Sequence, residues 1–421
     1  MPTRPWHVFS EAAFLAVSWT WCIGMWLPVL LIRDFGLWSF AVFALPNCFG
    51  AAAMGFALAK PGAAIDFLQR HQLAISLFSA VTSAFQSFFL VWLLIVNGMS
   101  TEGLILIGLV LASIFAQPLF RGERVRTTAV AVFIASLALA AWWLLGNFDR
   151  ATAAQLPPPA HNIEGLGGLA AVCMLGFVCC PFLDATFLQA RIRSRGTPGT
   201  ASFLLGFLVL FASMITLTFF YGIDIVSKAH AADKPVHVFY LALPLIFHIG
   251  MQLLFTISVH EGFLREGEPA ARVGHRDGLS LAAFATGLIA AVAALRLPAL
   301  RADMTNWELF YRCFMSFYGL VFPAYVWIIA WPFQRRAGVV TMPRVAIMAG
   351  AVVAAAPFYW IGFIDRESNW LYGGVGIVLV AGIIARLLPG PASPLGPSGG
   401  AVLEPTDPTP RPLAAAATPD R

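Results

Sequence analysis

The sequence predicts an all-α polytopic membrane protein of about twelve transmembrane helices. Of its 421 residues 59% are hydrophobic and only 11% charged, and the mean hydropathy of +0.79 lies outside the range of soluble domains. The apolar residues fall in runs of about 20, the length a helix needs to cross a hydrocarbon core of about 30 Å. Lysine and arginine are spread unevenly over the loops between those runs.

In chain order the runs are 10–32, 36–58, 72–97, 103–120, 127–146, 165–189, 201–222, 236–260, 278–297, 307–332, 343–364 and 370–388, read as spans one to twelve. Each ends where charge, proline or glycine accumulates. Arg33, Asp34 and Gly36 close span one, Lys60, Pro61 and Gly62 close span two, and Asn97 with Gly98 closes span three. Arg121 and Gly122 follow span four, Asp149 and Arg150 span five, and Arg191, Arg193 and Arg195 span six. Asp224 and Lys228 follow span seven, Arg265 to Glu268 span eight, and Arg296 with Pro298 span nine. Spans ten, eleven and twelve stop at Arg335–Arg336, Asp365–Arg366 and Arg386–Pro389. Residues 391–421, rich in Pro, Gly, Ala and Ser, cannot bury enough surface to fold and are expected to be a disordered tail.

Loops on the side of the N-terminus carry fifteen lysines and arginines against seven on the other side. That asymmetry places both termini in the cytoplasm and implies a bacterial cytoplasmic (inner) membrane. No small-residue cleavage site follows the first apolar run, so it is expected to remain in the mature chain. The net charge of +5 therefore reflects topology, and no nucleic-acid partner is expected. The six cysteines all lie in apolar runs without C-x-x-C spacing, which argues against disulfides and against a metal site. No organic cofactor is implied.

Spans one and six each carry break signals near mid-depth, Gly24 with Pro28 and Gly176 with Pro181. Proline removes a backbone donor and glycine weakens a helix. In hydrocarbon the freed peptide groups need a partner, and paired interruptions at matching places in two halves mark substrate sites in inverted-repeat transporters. Spans one and six open two groups of five, and a second copy of a five-span unit must enter the membrane inverted. The expected division is a first five-helix repeat over 1–150, a second over 151–336, two peripheral helices over 337–390, and the tail.

With broken first and sixth helices, two extra C-terminal helices and an inside N-terminus, the chain resembles the LeuT-type fold of the amino acid, polyamine and organocation transporter superfamily. The stretches "SWTWCIGMW", "ALPNCFGAAAMGF" and "DATFLQAR" are similar to sodium/solute symporters. The resemblance implies a secondary active transporter of a small organic solute, working by alternating access and coupled to Na+ or H+. Such symporters often carry adjacent hydroxyl residues in span eight, whereas here Thr256 and Ser258 are separated by Ile257. Both coupling ions therefore stay open.

Candidate solute-binding residues are Trp21, Ile23, Gly24, Gln86, Gly176, Cys180, His248 and Gln252. Trp19, Trp21 and Trp26 flank the first break with ring faces suited to an organic or cationic solute. His248, Gln252 and Thr256 recur every four positions, so they share a face that lipid does not tolerate cheaply. Asp184, a carboxylate at membrane depth, is the candidate coupling group with Thr256 and Ser258; it either serves an ion or pairs with Arg191 seven residues on. Glu11 either sits at the interface or forms an inner gate, and Arg312 either bridges to Glu308 or closes an outer gate. Asn47, after Pro46, is read as structural, "GAAAMG" beyond it as a packing surface through Ala51 and Gly55, and His260 with Glu261 as a solvated cluster.

Two other classes compete. A membrane-embedded lipid-linked transferase usually needs a large extramembrane loop, and no H-E-x-x-H, G-x-S-x-G or P-loop motif is present. A non-transporting sensor on a transporter scaffold would match the sparse polar content of the spans.

Overall fold

The computed structural model describes residues 4–98, 122, 124–153, 156, 158–159, 165–194, 196–234, 241–332 and 340–388. The expected span 103–120 and the tail 391–421 lie outside the described residues. Nine described helices are long and apolar enough to cross a membrane, and two bent helix pairs, Pro5–Trp19 with Cys22–Phe35 and Leu166–Phe182 with Ala185–Arg193, raise the number to eleven if each pair is one span. These bent pairs are spans one and six.

Span one comprises α1 (Arg4–Trp19) and α2 (Cys22–Phe35). Span two is α3 (Trp38–Ala53), extended by a 3-10 turn, Met54–Phe56. A short helix that the apolar runs do not reveal, α4 (Ala63–Arg70), precedes span three, α5 (Gln72–Val96). Span five is α6 (Arg124–Ala153); span six is α7 (Leu166–Cys179), a 3-10 turn and α8 (Ala185–Arg193). Span seven, α9 (Gly196–Leu205) and α10 (Ala212–Ala231) joined by a π-turn at Gly206–Phe211, runs 36 residues and exceeds its apolar core. An Asp224–Lys228 pair, 2.5 Å across one turn, carries the helix past the hydrophobic run. Spans eight to ten are α11 (Leu243–Glu266), α12 (Asp277–Arg296) and α13 (Asn306–Tyr325); α14 (Met342–Tyr359) and α15 (Leu371–Leu387) pack on each other as the last two.

Burial orders these helices. Every residue of α2 except Arg33 is buried. By contrast, only 28% of the apolar window of α12 and 33% of that of α14 are buried within the protein, so these helices present most of their apolar side chains outward. An apolar helix buried on all faces belongs at the centre of a bundle. Span one is that centre, lined by α6, α10, α11 and the π-turn of span seven.

The small residues of span two are a packing surface, as expected, with Gly50 as a contact the sequence does not single out. A Cβ on Gly50 would lie 2.6 Å from the Phe177 carbonyl oxygen of α7, and one on Gly55 would lie 2.7 Å from Phe203 Cβ. Gly50→Ala should force α3 away from α7 and lower the melting midpoint in detergent by the equivalent of about 1–3 kcal/mol, whereas Gly62→Ala, in open space at φ +80°, should cost less than about 1–2 kcal/mol.

Candidate functional site

The site begins with the two interruptions. In span one the axes of the two helices diverge by 53°, and the break falls at Thr20–Trp21, with Trp21 extended at φ −86°, ψ 170°. The expected break at Gly24 and Pro28 is thus displaced, and both residues lie inside α2. Side chains next to the break explain the shift by standing in for the missing turn. The Thr20 hydroxyl donates to the Ala16 carbonyl at 2.7 Å and the Trp21 indole to the Ser18 carbonyl at 2.5 Å. Pro28 does not end the helix, but it leaves the Gly24 carbonyl without its i+4 donor. At the start of α2 the Cys22 N–H donates to Gln86 Oε1 at 3.3 Å, while Ile23 and Gly24 occupy first-turn positions that lack intrahelical partners.

Span six turns by the same 53°. A 3-10 turn, Cys180–Phe182, leads to Asp184, which is extended and caps α8. Its Oδ1 accepts the Thr186 N–H at 2.7 Å and the Thr186 hydroxyl at 2.6 Å. This explains why an aspartate stands in an apolar run: the second half of a broken helix needs an N-cap inside the membrane. Pro181 in turn frees the Phe177 carbonyl. Ser18 donates to Thr186 Oγ1 at 3.2 Å and so ties the two breaks together.

Between the breaks lies a cavity of about 50 Å3, lined by Trp19, Trp21, Ile23, Gly24, Asn47, Gly176, Phe177, Cys180, Tyr318 and Phe363 among others. Its walls are aromatic and aliphatic. The polar groups at its edge are the peptide groups of the breaks, the Asn47 amide, which accepts the Trp19 indole N–H at 2.7 Å, and the Tyr318 hydroxyl, 2.6 Å from Thr82 Oγ1. Asn47, read from the sequence as structural, also forms a wall of the cavity. Ligand pockets run to about 300–1,000 Å3, and this cavity is well below that range.

No protein-family profile matches the chain, and no curated sequence is similar to it. A solved structure is: Mhp1, a nucleobase-cation-symport-1 family transporter in a closed conformation with bromovinylhydantoin bound, has a TM-score of 0.51 at 13% identity, over 90% of this chain and 91% of that one. The chain has the LeuT fold.

Within this LeuT fold the breaks gather five of the eight expected solute-binding residues, Trp21, Ile23, Gly24, Gly176 and Cys180, around one cavity. Gln86 reaches the first break from α5 without lining it. His248 and Gln252 belong elsewhere: His248 Nδ1 is 2.6 Å from Ser136 Oγ, and Gln252 Nε2 donates to the same oxygen at 2.9 Å, joining α11 to α6. The four-residue stripe is real, but its upper half faces another helix. Thr256 and Ser258 are likewise separated, because two residues turn a helix by about 200°. Ser258 back-bonds to the Leu254 carbonyl at 2.7 Å and lines a different cavity, whereas Thr256 Oγ1 is buried without a hydrogen-bond partner.

His260 is the residue that sequence reasoning misplaced most. It is fully buried, its Nδ1 3.1 Å from Ser79 Oγ and its Nε2 3.9 Å from Asp184 Oδ2. The signal was available, since 260 is the next step after 248, 252 and 256. Glu261 is buried too, accepting from Ser280 with Arg265 one turn on, so the solvated cluster does not form. Arg191 does not pair with Asp184; its Nη1 donates to the Gly55 carbonyl at 3.2 Å.

Charge closes span one at both ends. At the end bearing the N-terminus Glu11 is fully buried and accepts from Arg193 of α8 at 2.7 Å, with Arg126 of α6 at 3.5 Å. His7 bridges Arg126 and Ser194. A cavity of about 280 Å3, lined by Gln189, Arg193, Ser258 and Glu266, lies beside this cluster. Glu11 is therefore enclosed by protein and paired with arginine. At the other end Arg312 donates to Glu308 at 2.9 Å, as its spacing suggested, and also to Asp34 at 2.5 Å and the Phe363 carbonyl at 3.0 Å. Arg33 adds a bidentate contact to Glu308 at 2.9 and 2.6 Å. Beyond it, in the loop after α12, hydrogen bonding to Arg301 holds the Asp303 carboxyl below the usual carboxylate range.

Two guanidinium groups and two carboxylates balance in this network, in which only Arg33 is partly exposed. Arg312→Met would leave Asp34 and Glu308 sharing Arg33 alone, and removing one partner of a buried ion pair costs about 3–5 kcal/mol. A large drop in melting midpoint is expected, and Arg312→Lys should recover only part of it, because an ammonium lacks the planar fork that reaches three acceptors.

Proposed function

We propose that the protein is a secondary active transporter that carries a small organic solute across a bacterial cytoplasmic membrane by alternating access, driven by a sodium or proton gradient. The observation that carries this reading is the apolar cavity between two half-helix junctions, with the LeuT fold around it. Peptide N–H groups of Ile23 and Gly24 at the positive end of α2 suit an acceptor on the solute, and the Gly24 carbonyl freed by Pro28 suits a donor. Ring faces of Trp19, Trp21, Phe177 and Tyr318 suit a compact, flat, largely apolar body. A heterocyclic ligand in the similar Mhp1 structure accords with that chemistry.

In this reading residues 1–150 and 151–336 are two inverted five-span repeats, and the last two helices are peripheral. The face bearing the N-terminus is cytoplasmic, as its excess of lysine and arginine supports. Glu11 with Arg193 forms the inner gate and Arg312 with Asp34 and Glu308 the outer one; both are closed around the small cavity. Transport requires breaking one set at a time, so that the site never opens to both sides. No catalytic chemistry is assigned.

The test is solute binding and uptake by the purified protein in proteoliposomes, with a panel of small heterocycles and aromatic amines, paired with a cavity-filling variant. A Cβ on Gly176 would meet nothing within 4 Å, so Gly176→Leu should send its side chain into the cavity, fold at a cost of no more than about 1–3 kcal/mol and lose binding more than tenfold. Wild type that neither binds nor moves any member of the panel under either gradient, or Gly176→Leu that binds like wild type, would overturn the assignment.

A further inference from the structure

Deep in the bundle, one carboxylate lacks the partners that every other buried carboxylate described above has found. Asp184 is fully buried. Its Oδ1 is satisfied by Thr186, but Oδ2 has no hydrogen-bond partner, and the atom it faces, His260 Nε2, has none either. They stand 3.9 Å apart. No lysine or arginine pairs with Asp184 among the described residues: Arg191 is turned to the Gly55 carbonyl, and Arg193 to Glu11.

The remaining groups around the pair are neutral. From the turn of span six comes the Cys180 thiol, and from α13 the Tyr318 hydroxyl, both near enough to Asp184 to interact with it electrically. Helix α5 contributes the Ser79 hydroxyl to His260, and α1 the Ser18 hydroxyl to Thr186. Glu261, next to His260 in sequence, is turned toward Ser280 and Arg265. On α4 Asp66 and Arg70 are exposed, and His71, which follows it, bonds to Tyr325. The charged groups of α1, His7 and Glu11, belong to the cluster at its N-terminal end.

We propose that Asp184 and His260 together hold a single exchangeable proton, and that this proton is the coupling ion of the transporter. The proposal rests on the transport reading but names its driving ion. Ionised Asp184 beside neutral His260 places a bare carboxylate oxygen opposite an imidazole nitrogen in a site without a counter-cation. One added proton resolves this in either microstate, as a carboxylic acid beside neutral imidazole or as a carboxylate beside imidazolium; the two are one macroscopic titration. The proton arrives from water and leaves to water, and no other bond changes. Ser79, 3.1 Å from His260 Nδ1, satisfies whichever tautomer results, since a hydroxyl can donate or accept.

Position supplies the coupling. Asp184 is the cap of α8, and Trp21, the hinge residue of span one, sets its ring 6.0 Å from the His260 imidazole. Losing the proton charges the junction on which both breaks meet, through the Asp184–Thr186–Ser18 chain. An amide retains the cap while abolishing titration, because Asn and Asp cap helices equally well. Asp184→Asn therefore separates the proton from the fold.

The experiment uses the full chain in lipid nanodiscs, infrared difference spectroscopy between pH 5 and 9, and proteoliposomes. Wild type should show one titrating group that Asp184→Asn lacks, read as a protonated carboxylic-acid band or an imidazolium band, with a midpoint that moves less than twofold in proton concentration when 100-fold sodium replaces choline. Asp184→Asn should remove the titration at an unchanged melting midpoint, and His260→Gln should shift it at least tenfold. A titration that sodium displaces, or one that Asp184→Asn leaves intact, overturns the proposal. Solute flux driven by sodium and unaffected in Asp184→Asn also overturns it while upholding transport; titration without any flux upholds the proton site and rejects transport.

Discussion

A peptide group left unbonded in hydrocarbon costs several kcal/mol, and this protein has two apolar spans whose helices are interrupted. Much of the interior is arranged around them. Gln86, Thr20, Trp21 and Tyr311 serve the first break, with Tyr311 donating to the Cys22 carbonyl at 2.9 Å, and Asp184 and Thr186 serve the second. These side chains come from five separate helices or turns, so the unwound backbone can exist only inside the assembled bundle. That requirement explains why every residue of α2 but Arg33 is buried and why Thr20, Trp21, Gln86 and Tyr311 are buried with it. Gly24 and Phe177, whose carbonyls Pro28 and Pro181 free, are both among the residues that line the cavity.

The two ends of span one are held by charge, but in different surroundings. The Arg33–Asp34–Glu308–Arg312 network is balanced, with Arg33 alone partly exposed, and it ties α2 to α13 and to the carbonyl of Phe363 beyond α14. At the other end a single carboxylate, Glu11, meets Arg126 and Arg193 beside a cavity of about 280 Å3. Water access lowers the cost of separating an ion pair, since charges that part into solvent are solvated again.

Several residues show what could and could not be read in advance. Run length found eleven of the expected spans, and the repeated Gly–Pro signals located both breaks to within a few residues. The first break moved to Thr20–Trp21 because proline removes one donor without ending a helix, while side chains that replace a turn are invisible to propensity. Five of eight solute-binding candidates lie on one cavity; His248 and Gln252 do not, because periodicity gives a shared face but not the neighbour it meets. His260, assigned to solvent by its nearness to Glu261 and Arg265, continues that same face inward to Asp184.

The amino-acid sequence by itself determined which segments are long and apolar enough to cross a bilayer, roughly where two of them break, and that Asp184 stands in an apolar run. Those properties depend on one dimension, depth, and hydrocarbon thickness acts on each segment separately. The tertiary structure alone decided that Asp184 faces His260 and not Arg191, that Glu11 is buried against Arg193, and that Arg312 reaches Asp34. Each of these is a choice among partners at the same depth, settled by which helices pack side by side and by how far each is rotated, and no local pattern of residues contains that information.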